Sequence, residues 1–114
     1  MSTVRQFVPR ESVDYVYTVN LALQSVLEAR ARVKDAVTFE EYLRAVEALY
    51  VILIPRLRDR RVKDLIERAK VRGEDLLITE ENLELLDRAV EMILEVLDRN
   101  NLLIRGHPHE AEHL

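Results

Sequence analysis

The chain has 114 residues, of which 48% are hydrophobic and a third are charged, with a formal net charge of −4. That length fits one domain, and the apolar fraction excludes a disordered tail. Two glycines and three prolines are too few turn formers for a many-stranded sandwich or barrel. No cysteine is present, so disulfides, thiolate metal sites and cysteine nucleophiles are excluded.

The N-terminal stretch MSTVRQFVPRES shows no long apolar run after a basic start, so no signal peptide is read there. The longest uninterrupted apolar run covers residues 48–55, far short of the roughly 20 needed to span a bilayer. The expectation is a cytoplasmic protein that does not enter membranes. Asparagine and glutamine total six in a highly charged chain, a thermophile-like composition, although only three residues are lysine.

Residues 1–10 read as an irregular arm ending at Pro9. A first helix is predicted over 12–34. At 100° per residue Val13, Val16, Val19, Leu23, Val26, Leu27 and Val33 share one side, widened by Tyr15, Ala22 and Ala29. For the second helix Thr38 reads as N-cap, with Glu41 completing a capping box and Val37 and Tyr42 forming a staple. Tyr42, Leu43, Val46, Leu49, Tyr50, Leu53 and Leu57 follow at helical spacing. Val51, Ile52 and Ile54 fill the opposite side, which predicts a helix buried all round. Pro55 predicts a kink or break.

A third helix is expected over 60–72, capped by Asp59, with Val62, Leu65, Ile66 and Ala69 inward and Gly73 as its C-terminal stop. Thr79 then caps a fourth helix reaching about Arg99, with Glu80 and Glu81 in a first turn where the helix dipole favours anions. Ile78 and Leu83 repeat the staple. Asn100 and Asn101 break that helix before a short apolar extension over 102–104. The fold class is therefore all-α, a four-helix bundle-like single domain over 1–106, with a flexible C-terminal tail over 107–114.

On the fourth helix Leu83, Leu86, Ala89, Val90, Ile93, Leu94 and Leu97, flanked by Leu85, Met92 and Val96, cover about 200° of the wheel, where a surface helix shows 100° or somewhat more. So wide a face has to be covered on two sides, and a second copy of the chain in a two-fold dimer is the simplest cover.

Charge is strongly segregated. Residues 56–72 hold eight basic and three acidic residues, giving +5, whereas 73–98 hold nine acidic residues and one arginine, giving −8. Arg56, Arg60, Arg61, Lys63, Arg68, Lys70 and Arg72 are candidates to contact phosphates or an acidic partner. Arg56, Arg60, Lys63 and Lys70 fall on one line if the helix is continuous. No aromatic residue sits among them to stack bases. The third and fourth helices do not make a helix-turn-helix reader, because connector 73–79 exceeds three to four residues and the would-be recognition helix is acidic.

Glu84, Asp87, Glu91, Glu95 and Asp98 form an acidic line, begun by Glu80, that is expected to face solvent and to suit a basic protein partner. Facing away from a bundle interior, it does not resemble a helical di-metal site. His107, His109 and His113 all lie in the tail, leaving the predicted helices without the commonest general base. No Gly-rich phosphate loop occurs. No cofactor and no catalytic residue is expected. The sequence points to a non-catalytic helical module for oligomerisation and protein interaction, or an accessory subunit, with nucleic-acid binding through 56–72 as the alternative.

Overall fold

A computed structural model describes residues 9–57, 60–70 and 80–104, with side chains described from Val13 onward. Among them the chain is all-helical. Helix α1 is Pro9–Ala31, α2 is Ala36–Leu53, a 3-10 turn is Ile54–Arg56, α3 is Arg61–Ala69 and α4 is Glu80–Arg99. Predicted residues Asp59, Gly73, Ile78, Thr79 and the tail over 107–114 lie outside the described residues, as does Arg72.

Consecutive helices run antiparallel, up, down, up and down. The Tyr15 hydroxyl, near the start of α1, donates to the Ile52 carbonyl near the end of α2 at 3.2 Å. Lys70, just past α3, reaches Glu47 midway along α2 at 3.1 Å. Asn82 at the start of α4 donates through Nδ2 to the Ala69 carbonyl at the end of α3 at 2.9 Å. That side chain satisfies one of the carbonyls that every helix end leaves without an intrahelical partner.

Helix α1 starts at Pro9, where locked φ and a missing N–H suit a first turn. It stops three residues before the predicted end, its last turn tightened by bonds from Arg32 N to Ala29 O at 3.1 Å and from Val33 N to Arg30 O at 3.2 Å. Val19, Leu23, Val26 and Ala29 are buried. Val13 and Leu27 are not, against expectation. At 100° per residue both lie roughly 100° or more from the buried line, beyond what neighbouring helices cover.

The cap of α2 also differs from the sequence reading. Asp35, not Thr38, is the N-cap, and Thr38 stands at the third helical position. The Thr38 N–H donates to Asp35 Oδ1 at 2.9 Å and the Asp35 N–H donates to Thr38 Oγ1 at 2.9 Å. This Asp-x-x-Thr box starts the helix one turn early, which leaves Val37 exposed on the first turn instead of stapled to Tyr42. The Thr38 N–H bond holds the Asp35 carboxyl below its ordinary range.

Nor is α2 buried all round. Phe39, Tyr42, Leu43, Val46, Leu49 and Leu53 form one inward face. Val37, Glu40, Glu41, Arg44, Ala48 and Val51 form an exposed one, and Ile52 is half-buried at the edge. Pro55 breaks the helix, and a single 3-10 turn follows.

Helix α4 behaves as its periodicity predicts. Leu86, Ala89, Val90, Ile93, Val96 and Leu97 are buried, and Leu83, Leu85, Met92 and Leu94 are half-buried. Within the chain this face packs against α3 and α2, and α1 reaches the same helix through the Arg30–Asp87 pair. Asn101 takes a left-handed φ of 56°. Leu102 N donates to Leu97 O at 2.8 Å and Asn101 N to Asp98 O at 3.2 Å, a Schellman stop. Leu102 and Leu97, the pair such a motif brings together, are both in the core.

Candidate protein interface

Two polar side chains of α1, Arg30 and Asn20, fix how that helix is docked. Arg30 lies seven residues after Leu23 and four after Val26, on the apolar line itself. Its Nε donates to Asp87 Oδ1 at 2.8 Å and its Nη2 to Oδ2 at 3.1 Å. Such a fork is the strongest form of side-chain ion pair. Tyr42, only 1% exposed, donates its hydroxyl to the same Oδ1 at 2.6 Å. The Arg30 guanidinium also lies 5.8 Å from the Tyr42 ring centroid. One carboxylate on α4 thereby ties α1 to α2. Burial, then the hydrogen bond to Asp87, pushes the Tyr42 phenol above its ordinary range, so it stays a donor. The bond to Asp87 raises Arg30 in turn.

Asn20 does the equivalent work one half of the helix earlier. Its Nδ2 donates to the Leu102 carbonyl at 2.7 Å, and its Oδ1 accepts from the Ile104 N–H at 3.1 Å. This clamp lays the segment after α4 along α1. It sets Ile104 beside Val13, Val16 and Tyr17, where the four line one open apolar hollow.

The result is an apolar line on the outer face of the N-terminal half of α1. Val13 is 64% exposed, Tyr17 59%, Leu21 49% and the adjoining Ile104 47%. The three α1 residues stand four apart, on neighbouring turns of one face. In the C-terminal half the corresponding outer positions are Gln24, Ser25 and Glu28, all polar, with Leu27 exposed at one margin. The sequence reading missed this line because it assigned Val13 to the core and left Tyr17 and Leu21 off the stripe.

Two of the predicted basic residues, Arg56 and Lys70, are engaged within the chain. Arg56, on the 3-10 turn, sits over the Tyr15 ring at 4.7 Å. The helix break removes it from the proposed line with Arg60, Lys63 and Lys70. Lys70 is held by Glu47 at 3.1 Å and Glu67 at 3.3 Å, and the bond to Glu47 raises its pKa most. Arg60, Arg61, Lys63 and Arg68 are exposed on α3, with Asp64 and Glu67 between them.

Of the acidic line, Glu84, Glu91, Glu95 and Asp98 are exposed. Asp87 departs from it, its carboxylate turned to Arg30 and Tyr42. Among the described residues no group of three His, Asp or Glu is placed to hold a metal ion, and no helix is long and apolar enough to cross a membrane.

A scan against protein-family models finds no match, and neither curated proteins nor solved structures give one.

Proposed function

We propose that this chain is a non-catalytic helical module that acts through protein contacts, self-associating as a homo-oligomer. The observation that carries this reading is the exposed line of Val13, Tyr17 and Leu21 with Ile104 beside it. These side chains lie outside the core, which closes on the opposite side of α1. Apolar patches of roughly 300–600 Å² are often functional. The acidic face of Glu84, Glu91 and Glu95 is a second surface, suited to a basic protein partner.

Light scattering over a dilution series tests the reading. A mass of about twice the 13.4 kDa of the chain is expected at tens of micromolar protein, falling toward the single-chain mass on dilution. A single-chain mass throughout would count against it.

A further inference from the structure

Resting on that reading, we infer that the occupant of the α1 line is the same line of a second copy, the two α1 helices packing antiparallel across a two-fold axis at Tyr17. Three features of the line support this pairing.

The first is its symmetry of composition. An aliphatic residue stands one turn before Tyr17 and another one turn after it. Antiparallel packing about Tyr17 seats Val13 against the partner subunit's Leu21, and Leu21 against the partner subunit's Val13. The two Tyr17 rings meet at the axis, where an offset stack is favourable. A two-fold interface requires such self-complementarity, residue i meeting j while j meets i.

The second feature is charge. Between residues 13 and 29 the helix carries Asp14 and Glu28 and no basic residue. A parallel pairing would set each carboxylate beside its own copy. Antiparallel about Tyr17, the two Glu28 positions stand 22 residues of rise apart, roughly 33 Å, and the Asp14 positions six residues, roughly 9 Å along the axis. Both distances are near or beyond the screening length of roughly 8 Å at physiological salt. The antiparallel form therefore escapes a repulsion that the parallel form has.

The third feature is area. The exposed fractions of Val13, Tyr17, Leu21 and Ile104 amount to roughly 400 Å² of apolar surface per copy. A standard interface buries roughly 800 Å² per partner, somewhat over half of it apolar. Full coverage of the patch would supply, as an upper limit, the apolar share of one such interface. Thr18, Gln24 and Ser25 supply an uncharged rim.

The chain contains no cysteine, so single thiols report the register directly. Val13→Cys and Leu21→Cys chains are prepared separately, mixed and mildly oxidised, and each is also oxidised alone. A disulfide-linked dimer is expected in the mixture. Little is expected from Val13→Cys alone, because the two Val13 positions lie roughly 12 Å apart along the axis, too far for a disulfide. Tyr17→Glu in an otherwise unchanged chain is expected to weaken association at least tenfold while keeping the helical signal. A dimer that forms no mixed disulfide and is unaffected by Tyr17→Glu would overturn the α1 pairing but leave self-association standing. A single-chain mass at every concentration would overturn both, and would leave the line to another segment of this chain or to a different protein.

Discussion

The two halves of α1 share one buried line and differ on the side turned to solvent. Toward its C-terminus the helix is anchored by Arg30 on Asp87, and its outer positions are Gln24, Ser25 and Glu28. Toward its N-terminus the inner residues are just as apolar, yet the outer positions are Val13, Tyr17 and Leu21. Only the inner line is buried in the core. The outer face carries a continuous line of large apolar side chains in the N-terminal half, against Leu27 alone at the margin of the C-terminal half, and the proposed association rests on that difference.

Several experiments would break or sharpen that comparison, beginning with the largest effect. Leu23→Ala, on the inner line, is expected to lower unfolding free energy by about 2–4 kcal/mol, because it removes packed apolar volume and leaves a cavity. Leu21→Ala, two residues away on the outer line, should change the stability of the isolated chain by less than about 0.5 kcal/mol. Urea titration of both variants at low protein concentration provides the contrast. Equal losses would mean that the outer line belongs to the core.

Next comes the anchor. Asp87→Ala strands the buried Tyr42 hydroxyl and releases Arg30, and a loss of about 1–3 kcal/mol is expected. The Arg30 contribution is discounted within that range, since its side chain is 40% exposed. Tyr42→Phe removes a single donor from a carboxylate that keeps its arginine, and should cost less than Asp87→Ala in the same titration. A larger loss in Tyr42→Phe would show that the phenol, not the carboxylate, holds the junction.

The cap of α2 gives a smaller effect with a defined pH signature. Asp35 has a carboxyl lowered from its ordinary 3.8 by the Thr38 N–H bond. A lowered carboxyl contributes stability that is complete above the unfolded value and is lost as pH falls through the folded one. The contribution should therefore be present above about pH 4 and fade below it. Asp35→Asn keeps an acceptor for the Thr38 N–H and should remove that part of the acid dependence. Acid titrations of stability for the two chains would show it as a difference confined to the region below pH 4. Curves that stay parallel there would contradict the cap.

The smallest effect is expected on the exposed cations of α3. Arg60, Lys63 and Arg68 alternate with Asp64 and Glu67, so replacing all three with Glu should leave stability almost unchanged. An electrophoretic shift of DNA or RNA at low salt that this replacement abolishes would favour the alternative reading, nucleic-acid binding through the basic segment.

Much of the fold was legible in the sequence, and what was legible is local. The break at Pro55 follows from its own ring, and the stop at Asn100 and Asn101 from a residue that tolerates positive φ. The wide face of α4 was readable from periodicity alone. What covers a face was not, because periodicity fixes an arc and neighbours decide how much of it is buried. Val51 and Val13 are exposed for that reason, while α4 is covered within one chain. The α2 cap was misplaced because Thr38 serves two local patterns, and only the short connector chooses Asp35. Asn20 and Arg30 carried a readable signal, each a polar residue on an otherwise apolar line, but their partners at Leu102 and Asp87 lie 82 and 57 residues away.

The central claim is that the outer line of α1 joins chains rather than building the core. The melting temperature as a function of protein concentration tests it most directly, since association stabilises the folded state by mass action. The account predicts a midpoint for the unaltered chain that climbs steadily from micromolar to hundreds of micromolar, and a Tyr17→Glu chain whose midpoint stays flat. A concentration-independent midpoint in the unaltered chain, or the same climb in both, would contradict it.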